Sequence, residues 1–297
     1  MNTSMARRIM IALVPAVLLL GAGSAAAAID LGQALQKALR PKTPDQAGPS
    51  RPSSSAGGGI DLGGLFGFSP EEEVAIGRQA AGNLLGAAPL VKDATLQKYV
   101  NNVGRWIASQ SERPDLTWHF GVIDSNDINA FAAPGGYVFV TKGLYRLLQS
   151  ESELAGVLAH EIGHVVAKHH LKILQQSRLV DMSSKLVAKT AGENPVIKNL
   201  IGNGAEIFSR SLDKNAEYEA DRMAVTLAAR AGYDPFGLPT VLQDIGHAAK
   251  DASGVQLLFK THPLPDDRLT HLGDAVDGRL DRLQGPTLAQ RFYHIRP

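Results

Sequence analysis

The chain contains no cysteine in 297 residues. That excludes a disulfide framework, thiol catalysis, a thiolate metal site and a lipid-bearing cysteine behind a leader. Any metal must therefore be held by imidazole and carboxylate. An excess of charge of either sign is missing too: 30 Lys+Arg against 29 Asp+Glu leave a net of +1, and removal of Arg7 and Arg8 with a cleaved leader gives 28 − 29 = −1. Near neutrality gives no electrostatic case for a nucleic-acid partner. Long apolar runs are also lacking. The run from Ile9 to Leu20 is shorter than the roughly 20 residues that span a bilayer, Pro15 interrupts it, and no later segment is long or apolar enough.

What is present begins with a basic start at Arg7-Arg8, that short apolar run, and the small residues Gly21 to Ala28. This is the three-part shape of a secretory signal, so residues 1–28 are expected to be removed and the mature chain to start at Ile29 in the periplasm, soluble or peripheral to the membrane. Residues 29–68 read as a flexible N-terminal segment, because 41–59 (PKTPDQAGPSRPSSSAGGG) cannot bury enough apolar surface to offset the entropy of ordering. The same tetrapeptide, Ile-Asp-Leu-Gly, flanks the linker at 29–32 and 60–63. Chance similarity accounts for it better than a docking repeat.

The folded domain is expected over 69–297, with hydrophobic content of 44% and charged content of 20% suited to one sizeable core. Ser69 caps a helix to about Leu85, Pro70 fits its first turn, and Glu71, Glu72 and Glu73 favour the positive end of its dipole. A second helix over Asp93–Gln110 buries Leu96, Val100, Val103 and Ile107. From Thr117 the texture changes to short strands and turns, which predicts a small antiparallel sheet. Beyond Gly143 the pattern is helical, interrupted around Pro195 and its neighbouring glycines. The fold class is α+β, mostly helical.

On a helix starting near Glu151 lies His160-Glu161-Ile-Gly-His164. Residues four apart share a helical face, so two imidazoles can meet one ion while Glu161 flanks it. With 9 His and a similar number of Glu, chance would supply this pattern roughly 0.01 times. The apolar neighbours Leu158, Ala159, Ile162, Val165 and Val166 place the helix in the core, where unliganded imidazoles and a carboxylate would be costly. A hydrolytic zinc needs a third protein ligand and an open position. Asn215-Ala-Glu217-Tyr-Glu219-Ala-Asp221 offers Glu217 as that ligand, with Asp221 on the same face to take the second N–H of a bound imidazole. Glu219 points elsewhere on a regular helix. His169 and His170 are expected on the solvated end of the motif helix.

With these pieces the chain resembles the zinc peptidases that include the CAAX prenyl proteases, the HtpX heat-shock proteases and the periplasmic assembly protease BepA. The matching segments are Asn129-Ala-Phe-Ala-Ala-Pro-Gly-Gly, Val140-Thr-Lys-Gly-Leu144, His160 to His164, Glu217 to Asp221, and Thr261-His-Pro-Leu-Pro-Asp-Asp-Arg268. They occur in family order across roughly 69–272. The resemblance implies a gluzincin-like domain with one zinc ion on His160, His164 and Glu217, Glu161 as general base, and Asp221 behind a ligating histidine. It makes Asn129, Ala130, Phe131 and Ala132 an edge strand on which a polypeptide substrate lies as an added strand. His262 then either stabilises an oxyanion or plugs the open metal position, and Arg268 supports the transition state or the local fold. Partners would be polypeptides of the envelope and outer-membrane assembly machinery. The multiple membrane spans of the prenyl proteases and the long C-terminal repeats of BepA have no counterpart here. The rival readings are a chaperone-like envelope protein with latent or low protease activity, and a zinc hydrolase of non-peptide amides. The intact Glu161 argues against the first and the edge-strand motif against the second.

Overall fold

Ser69 sets the start of the first helix, α1 (Pro70–Ala87), through a reciprocal cap. Its hydroxyl accepts from the Glu72 N–H at 3.2 Å, and the Glu72 carboxylate accepts from the Ser69 N–H at 2.9 Å. Asp93 starts α2 (Ala94–Ala108) with a one-way cap, its carboxylate accepting from the Leu96 N–H at 3.0 Å. The four apolar positions expected to face inward on α2 are buried. The computed structural model describes residues 67–177, 212–248, 256–276, 278, 282–283 and 285–294. The leader, the linker, the two tetrapeptides and the breakers around Pro195 lie outside them.

Three strands follow: β1 (His119–Ile123), β2 (Ala130–Ala133) and β3 (Tyr137–Thr141), in the order β1-β3-β2. β2 and β3 form an antiparallel hairpin whose turn uses Gly135 and Gly136 at φ of 76° and 92°, a region that disfavours other residues. The sheet is small, as expected, but mixed. The chain reverses twice between β1 and β3, so these run parallel, and β3 sits between its two predecessors. Alternation of apolar residues fixes which face a strand buries, not which strand lies beside it. Both faces are covered here. Val122, Val138 and Val140 join the main core, while Ile123, Phe131 and Phe139 pack with Ala80 and Ala81 of α1.

The short α3 (Lys142–Leu147) leads to α4 (Glu151–Val166), which carries the motif. Every residue from Glu151 to Val165 is buried, a pattern seen when a helix lies at the centre of a domain. α4 is enclosed by α5 (Lys214–Arg230), α6 (Gly237–Ala248), α2 and the sheet. Leu154, Leu158 and Ile162 are fully buried, each contributing about 1.5–3 kcal/mol, which holds the polar positions between them inside. The crossing with α6 is backbone to backbone: a Cβ on Gly156 would stand 2.4 Å from the Leu238 nitrogen. Residues 169–177 are helical as well, and α7 (Gln256–Thr261), α8 (Pro265–Val276) and a 3₁₀ turn at Ala289–Arg291 complete the described elements. Among the described residues no helix is long and apolar enough to cross a membrane.

Two buried carboxylates brace the motif helix. Glu73, one of the acids expected at the dipole of α1, turns inward instead and meets both Arg113 amines at 2.7 and 3.0 Å and the Gly135 N–H at 3.2 Å. Arg113 also donates to the Val165 carbonyl at 3.1 Å, tying α1, the hairpin turn and the end of α4 together. Burial would raise the Glu73 carboxyl, yet Arg113 and Gly135 hold it below its ordinary value. At the other end of α4, Glu151 accepts from Tyr99 at 2.8 Å, Tyr233 at 2.9 Å and Arg291 Nε at 2.8 Å.

Candidate metal centre

The four-residue spacing on α4 brings the Nε2 atoms of His160 and His164 to 3.0 Å from one another. From α5, Glu217 Oε2 stands 3.5 Å from His160 Nε2 and Glu217 Oε1 stands 3.5 Å from His164 Nε2. His262, just after α7, adds Nδ1 at 2.8 Å from Glu217 Oε2. One donor atom from each of the four lies within 4.8 Å of the other three, and all four side chains are buried. Bonds of about 2.0–2.1 Å in a tetrahedron place donor atoms about 3.4 Å apart, and the observed separations bracket that value. Glu217 Oε1 is buried with no hydrogen-bond partner, an arrangement costing about 1–3 kcal/mol unless something satisfies it. A cluster of lone-pair donors with one orphaned carboxylate oxygen fits a small cation of imidazole and carboxylate preference.

Behind the cluster, His160 Nδ1 meets Asp221 Oδ1 at 2.9 Å. Arg268 donates to both Asp221 oxygens, Nε to Oδ2 at 2.9 Å and Nη2 to Oδ1 at 2.5 Å. Burial would raise the Asp221 carboxyl, but Arg268 and then His160 outweigh it and hold it at about 2. Burial and Arg268 press the His160 imidazole down, while Asp221 and Glu217 together carry it up to about 9. Burial takes His164 well below its ordinary value. Burial would raise Glu217 also, yet His262, His164 and His160 hold it well below the carboxylate range. Glu161 is raised by burial, against the opposing pull of His160 and His262.

Glu161, His164 and His262 line a cavity with Ala130, Phe131 and Ala132 of β2. β2 is the edge of the sheet. The Thr141 N–H donates to the Asn129 carbonyl, so alternation along the ladder directs the main-chain groups of Ala130 and Ala132 to the open edge. Asn129 is fully buried and its side-chain oxygen takes the Ala130 N–H at 3.0 Å, while its Nδ2 has no hydrogen-bond partner.

His169 and His170 differ from expectation. α4 ends at Val166, Lys168 takes a left-handed φ of 57°, and His169 is 3% exposed with its Nδ1 2.9 Å from His164 Nδ1. His170 is half-buried and faces the same cavity as Glu161 and His262, its imidazole pushed down by burial to about 4. A charged residue in the left-handed region leaves no sequence signal, so the turn that redirects both rings was not legible. Sequence reasoning also passed over Arg113 and Arg291, whose partners are far away in the chain.

Two histidines one helical turn apart, joined by a glutamate from a second helix, form the donor arrangement of H-E-x-x-H metallopeptidases. A model of peptidase family M48 matches residues 94–276, and the chain belongs to that family of metallopeptidases. It is 31% identical to the beta-barrel assembly-enhancing protease of Yersinia pestis over 76% of this chain and 48% of that protein. The protein of the same name from Escherichia coli K12 is 30% identical over 73% of this chain and 44% of its own length. The mitochondrial metalloendopeptidase OMA1 of Schizosaccharomyces pombe is 33% identical over 58% and 50%, respectively. The chain thus spans about half the length of these relatives.

Proposed function

We propose that this chain is a zinc endopeptidase of the bacterial envelope that hydrolyses polypeptides laid along β2, with His160, His164 and Glu217 as ligands and Glu161 as general base. The observation that carries the reading is the buried four-donor cluster at the foot of a cavity walled by an edge strand. Zinc held there would polarise a carbonyl and bring the ionisation of water towards neutral pH. Glu161 stands in the cavity beside the cluster, placed to take a proton from water and pass it to the leaving amine. The Ala130 carbonyl and the main-chain groups of Ala132 align a substrate backbone by strand addition, the Ala130 N–H being taken by Asn129. Arg268 fixes Asp221, and Asp221 fixes the His160 ring, so the two residues act on the metal site through His160.

Names of relatives tie them to β-barrel assembly. Together with the leader-like residues 1–28 this supports a periplasmic location, misassembled envelope proteins as substrates and the outer-membrane assembly machinery as partner. Cleavage of casein by the wild type and by Glu161→Gln tests the chemistry. Loss of cleavage in the variant supports Glu161 as base, and equal cleavage removes it from that role.

One observation favours a second reading, a chaperone-like state of low activity. His262 Nδ1 lies within the donor cluster, and a fourth protein ligand leaves no open position for chemistry. In that state β2 would hold unfolded chains without cutting them.

A further inference from the structure

The two motif histidines are supported differently. His160 passes its Nδ1 directly to the Asp221 carboxylate. His164 Nδ1 has an imidazole opposite it instead, His169 Nδ1 at 2.9 Å, and His169 Nε2 in turn faces Glu219 Oε2 at 3.3 Å. We propose that His169, braced by Glu219, is the positioning residue of His164, completing a His164–His169–Glu219 chain that fixes the second ligand ring. The inference rests on the zinc reading of the cluster.

The backbone is shaped for this contact. Had α4 continued, residue 169 would lie five positions on from His164, about 140° round the helix. The helix stops instead: the Ala167 N–H donates to Gly163, the Lys168 N–H to Val165, and Lys168 turns left-handed before 169–177 resume as a helix. The left-handed region is unfavourable for a residue that carries a Cβ. Here it returns His169 beneath His164, with ring centroids 5.1 Å apart.

The protons follow from the geometry. His164 Nε2 faces His160 and Glu217, so as a ligand it carries no hydrogen and Nδ1 carries one. That hydrogen points at His169 Nδ1, which must be a bare acceptor. The hydrogen of His169 is then on Nε2, directed at Glu219. Every donor in the chain has an acceptor and the series ends on a carboxylate whose side chain is 48% exposed. Glu219 thus has a task distinct from that of Glu217: it sets the tautomer of His169, which sets the ring of His164. A chain through a neutral imidazole holds its ligand less firmly than the Asp221–Arg268 pair holds His160.

Zinc affinity, measured by competition with a chromophoric chelator, tests this without recourse to catalysis. His169→Ala should weaken zinc binding about 10- to 100-fold. His169→Asn, whose Oδ1 can stand where Nδ1 stood, should recover most of the loss, and Glu219→Ala should add nothing in the His169→Ala background. Wild-type affinity in His169→Ala, or no recovery in His169→Asn, would overturn the proposal. If urea unfolding of the metal-free protein shows that His169→Ala does not fold, the cycle of His169→Asn and Glu219→Ala decides: independent, additive losses overturn it. A wild type that binds no zinc removes the proposed function and this inference together, whereas zinc-binding wild type with unaffected variants removes this inference alone.

Discussion

Asp221→Ala should damage stability and zinc binding by separate routes. Asp221 is 1% exposed and Arg268 4% exposed, so removal of the carboxylate strands a guanidinium in the interior. Breaking such a pair from one side costs about 3–5 kcal/mol. The same change deprives His160 of its Nδ1 acceptor and should weaken zinc about 10- to 100-fold, or about 1.4–2.7 kcal/mol, so the stability loss is the larger effect. An apolar pair, Asp221→Leu with Arg268→Met, leaves no stranded charge. It should recover most of the stability of the metal-free protein and none of the zinc affinity. Urea unfolding in chelator and zinc competition give the two readouts. A stability loss in Asp221→Ala below about 1 kcal/mol, or zinc affinity restored by the apolar pair, would show that Asp221 does not hold both Arg268 and His160. The sign with pH follows as well. Asp221 is held at about 2 against an ordinary 3.8, so its contribution is present above 3.8 and lost as pH falls through about 2. Acidification across that window should cost the apolar pair less stability than the wild type.

If His262 plugs the donor cluster, His262→Ala raises basal casein cleavage; if it stabilises an oxyanion, cleavage falls by about 10²–10³-fold. An unchanged rate assigns His262 no part in either. Gly77→Ala would place a Cβ 1.6 Å from the Pro134 carbonyl oxygen and should destabilise the protein by about 1–3 kcal/mol in urea unfolding, because α1 must move off the β2–β3 turn. In the same helix Gly82 has nothing within 4 Å of such a Cβ, and Gly82→Ala should be neutral or stabilising by up to about 1 kcal/mol. Mass spectrometry of the exported chain should show Ile29 as its first residue; an intact Met1 in membrane fractions contradicts the leader reading.

Features set by neighbours in sequence were legible. The caps at Ser69 and Asp93, the inward face of α2 and the start of α4 near Glu151 all depend on residues within a turn or two, and the structure has them there. The four-residue spacings of His160 with His164 and of Glu217 with Asp221 likewise place each pair on one face. What depends on remote partners was not legible. Glu73 and Glu151 look like ordinary acids of a first helical turn until Arg113 and Arg291 close on them. β1 and β3 pair in parallel because β3 enters between its predecessors, and no strand pattern encodes that order. His169 required the left-handed turn at Lys168, a conformation that a lysine does not advertise.

Elemental analysis of zinc in purified wild type, Glu161→Gln and Glu217→Ala separates ligand from base within the one centre. One zinc per chain is expected in the first two and none in the third. Stoichiometric zinc in Glu217→Ala, or none in the wild type, would contradict that assignment.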